Sequence, residues 1–141
     1  AEDCQAALQS RDGGRIAIAN PETAPYGAAA RSFLRRSGLW ESLRDRLVVG
    51  ENIAQTLQFA ASGNAQLGFI ARSQLQAPSL PTASCSWPVP ESMHAPIDQQ
   101  ALLLQRGAAS EGAKSFLAFL RSGAGRAIIR RHGYGLPEVK E

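Results

Sequence analysis

The chain has 141 residues, 44% of them hydrophobic and 19% charged, with a formal net charge of +3. This is enough for one ordinary domain with a core of its own, and the composition excludes a disordered chain; no apolar stretch approaches the ~20 residues that span a bilayer, Ala101–Leu104 being short and flanked by polar residues. The positive charge is not a nucleic-acid footprint: arginines are scattered through the helical stretches, no aromatic interleaving accompanies them, and the densest group, Arg126, Arg130, Arg131 and His132, ends a helix where cations offset the dipole.

The opening Ala-Glu-Asp-Cys lacks the basic and apolar regions of a signal peptide, so the chain is expected to be cytoplasmic, already processed, or cut from something longer. Asp3 to Gln9 reads as a short helix with Asp3 as N-cap, ended by the Asp12-Gly13-Gly14 turn. Arg15 to Ala19 reads as a short buried strand, closed by Asn20-Pro21. Pro25 then suits a first helical turn, Ala30, Phe33, Leu34 and Ser37 recur at helical spacing, and Gly38 supplies the stop.

The unit then repeats. Leu39 to Asp45 reads as a helical turn, Arg46 to Val49 as a second strand, and Ile53 to Ser62 as a helix with Ile53, Ala54 and Leu57 on its apolar face, closed by Gly63-Asn64. Gln66 to Ala71 is expected as a third strand, followed by a Pro/Ser-rich loop over 77–90 with short extended pieces. Gln99 to Gln105 is a fourth strand candidate. Glu111 to Arg131 suggests consecutive helices separated at Ser122-Gly123, and Gly133 to Pro137 closes as a turn and tail.

Strands alternating with helices imply an α/β sandwich on a mainly parallel sheet. In such sheets ligands bind beyond the carboxyl ends of the strands, where loops feed helix N-termini. Asn20–Gly27 and Gly50–Ile53 have that position, and each suits an anion without requiring a cationic side chain. The only cysteines, Cys4 and Cys85, form no metal or Cys-x-x-Cys pattern; a structural disulfide and two inert thiols both remain open. There is no His-Glu-x-x-His, Gly-x-Ser-x-Gly or phosphate-loop motif, so no catalytic residue is assigned and an enzyme is not expected.

Ile16-Ala17-Ile18-Ala19-Asn20-Pro21-Glu22-Thr23-Ala24-Pro25-Tyr26-Gly27 resembles the signature of the molybdate-binding proteins of ABC transporters, and Gly38-Leu39-Trp40 follows as theirs does. Val49-Gly50-Glu51-Asn52-Ile53-Ala54-Gln55 resembles their second ligand loop, and Ser62 to Ile70 the strand after it. Pro96 to Ala101 and His132-Gly133-Tyr134-Gly135-Leu136-Pro137 extend the resemblance to almost the whole chain.

The resemblance implies a type II periplasmic binding protein, a three-layer α/β/α lobe paired with another across a hinge. It implies that residues 1–106 form the second lobe and that 107–141 form a helical tail returning to a first lobe. The hydroxyl ligands of that first lobe would precede this chain. It further implies that the main-chain N–H groups of Tyr26 and Ile53 hold molybdate or tungstate as an oxyanion, with no cofactor and no bound metal ion. The implied partners are the missing N-terminal lobe and the membrane permease of an ABC importer, not nucleic acid, and the implied location is periplasmic. In that oxidising compartment Cys4 and Cys85 are expected to be bonded. Some members add a tyrosine hydroxyl on the strand after the second loop; Ala71 stands there, so its side chain cannot make that contact. The alternatives are a binding protein for sulfate or another oxyanion, and the effector-sensing domain of a transcription regulator with the same architecture.

Overall fold

The computed structural model describes residues 3–10, 12–76 and 80–136. By its internal contacts the chain divides into two compact units, Ala1–Ile97 and Asp98–Glu141.

The first unit opens with helix α1, Cys4–Gln9, whose N-cap Asp3 accepts from the Gln5 N–H as expected. Strand β1 is Ile16–Ala19, every residue buried. Helix α2 is Pro25–Arg36, with proline at its start and Gly38 at φ +72° just beyond its end. A proline lacks the N–H that the first turn cannot satisfy, and glycine tolerates the left-handed turn that ends the helix. Helix α3, Trp40–Leu43, and a 3₁₀ turn, Arg44–Arg46, lead into β2, Leu47–Gly50. Helix α4, Ile53–Ala61, follows after two residues, and Gly63 at φ +79° closes it. Strand β3 is confined to Leu67–Gly68, with the Phe69 N–H adding one bond to the Ala17 carbonyl. It is shorter than the expected Gln66–Ala71, since only Ile16 and Ala17 of β1 pair with it.

The three strands are parallel in the order β2-β1-β3. The crossover through α2 moves to one neighbour of β1, and the crossover through α4 returns past β1 to the other. With right-handed connections, the two helices therefore cover opposite faces. Side chains agree with that layering. Ile16 packs with Leu8, Phe33, Leu34 and Leu43, with Leu47, Leu67 and Phe69 against them. On the other face, a Cβ at Gly68 would press on the Ala60 methyl group, so small residues let α4 lie close to the sheet. Each fully buried Ile16, Ile18 or Leu34 side chain contributes roughly 1.5–3 kcal/mol relative to exposure.

The segment 80–97 contains no strand, only a 3₁₀ turn at Glu91–Met93; Ala77, Pro78 and Ser79 lie outside the described residues. Trp87, Val89 and Met93 pack onto the Phe33 side of the core, with the Trp87 ring 5.6 Å from that of Phe33. Two α2 side chains hold its backbone: Arg36 donates to the Ser92 carbonyl at 2.6 Å and Ser32 to that of Met93 at 3.4 Å. Cys4 and Cys85 form a disulfide, 81 residues apart in sequence, that ties this segment to the start of α1.

In the second unit, a 3₁₀ turn at Gln105–Gly107 precedes α5, Glu111–Arg121, and α6, Gly123–Arg131. Ser122 ends one helix and caps the next, its hydroxyl accepting from the Gly125 N–H. A Cβ at Gly125 would collide with the Phe119 carbonyl, so this junction requires glycine. The expected strand over Gln99–Gln105 is not formed. Those residues have no ladder partner among the described residues, and Leu102 and Leu104 are 79% and 69% exposed. An extended apolar run becomes a strand only when another strand accepts its hydrogen bonds. Phe116, Phe119 and Ile128 are likewise exposed. Pro137, assigned above to the closing turn, lies outside the described residues.

Candidate functional site

Both ligand loops expected from the sequence emerge from the same end of the sheet. Ala19 and Gly50, the last residues of β1 and β2, are paired in register, and the Asn20 N–H donates to the Gly50 carbonyl at 2.7 Å. Tyr26 and Ile53 are thus brought to one edge, each in the first turn of the helix that its strand feeds.

The first loop is built around Asn20. Its side chain accepts from the Glu22 N–H at 2.9 Å, and its carbonyl accepts from Thr23 and Ala24 at 3.3 and 2.9 Å. Pro21 and Pro25 have no N–H to offer. The loop donors from Asn20 to Ala24 are therefore occupied within the chain, and Tyr26 stands at the second position of α2. Arg31 reaches back from α2 to pair with Glu22 and to donate to the Pro21 carbonyl at 3.4 Å, which holds the loop over the helix end. Glycine at 27 is a matter of space: a Cβ would collide with the Ala19 carbonyl, so the head of α2 lies directly on the strand end.

The second loop is shorter and closed by reciprocal capping. The Asn52 side chain accepts from the Gln55 N–H at 2.9 Å, while the Gln55 side chain accepts from the Glu51 N–H at 2.7 Å. Thr56, fully buried, donates both its N–H and its hydroxyl to the Asn52 carbonyl, at 3.1 and 3.0 Å. Gly50 packs against that threonine, where a Cβ would be squeezed. Ile53 and Ala54 then occupy the first turn of α4, where N–H groups have no intrahelical acceptor.

The end of β3 joins the same edge. Gln74 accepts from the Ala71 N–H at 2.9 Å and donates to the Ile53 carbonyl at 2.9 Å, so one side chain links the segment after β3 to the head of α4. Ala71 is buried and brings no hydroxyl. The Asn52-x-x-Gln55 spacing of the capping pair is visible in the sequence; the Gln74 bridge spans 21 residues and has no local signal.

A second concavity lies at the opposite end of the sheet, lined by Asp12, Gly14, Arg15, Arg46, Asn64 and Gln66. Its polar groups serve the fold. Arg46 donates to the Gly14 and Ser10 carbonyls, both at 2.7 Å, and Gln66 accepts from the Arg15 N–H at 2.7 Å. The remaining Arg46 nitrogen is buried beneath Gly13 and has no hydrogen-bond partner among the described residues.

Residues 2–135 match the family model of the bacterial extracellular solute-binding proteins. The chain belongs to that family. The chain is 42% identical over 132 residues to the molybdate-binding protein ModA of Rhodobacter capsulatus, covering 94% of itself and 51% of that relative. It is 40% identical over 135 residues to ModA of Azotobacter vinelandii, covering 96% of itself and 54% of the relative. Its structure matches the solved periplasmic molybdate-binding protein of Azotobacter vinelandii with a TM-score of 0.83 at 33% identity, over 93% of this chain and 58% of that one. The chain thus spans about half the length of the curated relatives it matches. Among its described residues no helix is long and apolar enough to cross a membrane.

Proposed function

We propose that this chain is the second lobe of a periplasmic binding protein that captures molybdate, or tungstate, for an ABC importer. The observation that carries the proposal is the juxtaposition of two helix N-termini, α2 and α4, at the carboxyl edge of adjacent parallel strands. Neither Asn20–Gly27 nor Gly50–Ile53 contains a Lys or Arg. A dianion enclosed by neutral N–H donors and the positive ends of helix dipoles needs no counter-ion from the loop. Tyr26 and Ile53 supply those donors through the main chain. The names of the relatives support molybdate as the anion.

A first lobe outside these 141 residues completes the enclosure with hydroxyl donors, and the segment from 107 onward returns to it. The loaded, closed protein then presents its cargo to the membrane permease. No cofactor takes part, because the ligand is held as an oxyanion and is not transformed.

Calorimetric titration of the protein carrying both lobes with molybdate, tungstate and sulfate tests this reading. Molybdate and tungstate are expected to bind tightly and sulfate weakly; absence of binding by all of them refutes it. The 141-residue chain alone is expected to bind orders of magnitude more weakly. Open to water, each hydrogen bond contributes a net of only about 1 kcal/mol.

A further inference from the structure

The two peptide groups at the head of α4 are each held from behind. A trans peptide points its carbonyl and its N–H in opposite directions, so a bond to the carbonyl fixes where the N–H aims. The peptide that carries the Ile53 N–H has the Asn52 carbonyl at its other end, and Thr56 grips that oxygen with both its N–H and its hydroxyl. The peptide that carries the Ala54 N–H has the Ile53 carbonyl at its other end, and Gln74 donates to that oxygen. The Gln74 amide is itself fixed, because its oxygen accepts from the Ala71 N–H.

We propose that Thr56 and Gln74 are positioning residues for the anion site, aiming the Ile53 and Ala54 N–H groups respectively at one ligand oxygen or at two neighbouring ones. The inference rests on the oxyanion reading above and adds Ala54 as a donor beside Ile53. Donated hydrogen bonds also polarise each peptide and strengthen its N–H as a donor. Thr56 is fully buried and Gln74 half-buried, so neither side chain competes with the ligand for these donors. A threonine hydroxyl bonded to the carbonyl four residues back is common in helices. Here the carbonyl belongs to the first peptide of the helix, whose N–H leads out of it.

The experiment uses the protein carrying both lobes, titrated with sodium molybdate by calorimetry, with thermal melts in parallel. Thr56→Val and Gln74→Leu are each expected to weaken binding roughly fivefold. Thr56→Ser, which keeps the hydroxyl, should stay within about twofold of the parent. Gln66→Leu is the matched control, since it too removes an internal bond between a glutamine and a main-chain group, but at the far end of the sheet. It should lower the melting temperature and leave affinity unchanged. Parent-like binding by both Thr56→Val and Gln74→Leu, or an equal loss in Gln66→Leu, overturns the proposal. If the parent itself binds no molybdate, the functional reading fails separately, and the amide resonances decide the positioning. A shifted Ile53 amide in Thr56→Val and a shifted Ala54 amide in Gln74→Leu uphold it; unmoved resonances in both overturn it.

Discussion

The two ends of the sheet use the same kinds of polar group to opposite effect. At the amino end, Arg46 and Gln66 draw Ser10, Gly14 and Arg15 inward, and the loop groups they meet are bonded within the chain. At the carboxyl end, Asn20 and Gln55 occupy donors of the loops themselves, and Asn52 caps the Gln55 N–H in the first turn of α4. Strand direction explains the difference. A parallel strand feeds a helix N-terminus only at its carboxyl end, so only there do orphan N–H groups and the positive dipole ends accumulate.

Four variants break or sharpen this contrast. The largest effect is expected from Cys4→Ser combined with Cys85→Ser, which frees a loop of 81 residues and should cost roughly 4 kcal/mol of stability in the chain-entropy model. Denaturant unfolding measures that loss, and the molybdate affinity of the folded fraction should hold. Arg46→Met comes next. It strips donors from the Gly14 and Ser10 carbonyls and should destabilise by about 2 kcal/mol, again read by unfolding, with binding unchanged.

Ile53→Pro works at the other end. Proline fits the first position of a helix, so the fold should survive while a donor to the anion disappears. A loss of roughly 1–3 kcal/mol in binding is expected by calorimetry, with a melting temperature near the parent's. The smallest effect belongs to Tyr26→Ala, which keeps its main-chain N–H and should change affinity by less than about 1 kcal/mol. Abolition of binding with the fold intact would mean that the Tyr26 side chain, not the backbone, meets the ligand.

Much of this was legible because the signals are local. Pro25 and Gly38 bracket α2, Gly63 ends α4, and Asp3 caps α1, each through a backbone preference that operates within a few residues. Tyr26 and Ile53 were placed on helix starts by the same signals. What depends on distant partners was not legible. Gln99 to Gln105 looked like a strand because of its apolar run, yet it has no ladder partner among the described residues, and β3 pairs with only Ile16 and Ala17 of β1. Hydrophobicity alone does not specify a ladder. The grip of Thr56 on Asn52 is hidden because the same residue type at the same spacing is ordinary in any helix, and the Gln74 bridge exists only once β3 and α4 are packed. Cys4 and Cys85 could have been free thiols by sequence; their Cα atoms, 5.5 Å apart, are brought together by the fold.

The most direct test of an anion held by main-chain donors at the carboxyl edge is the amide spectrum of the two-lobed protein, ¹⁵N-labelled and titrated with molybdate. The Tyr26 and Ile53 amides are expected to move as the site fills, while those of Arg15 and Gln66, at the far end of the sheet, stay in place. Tight binding that leaves the Tyr26 and Ile53 amides unmoved would contradict the account.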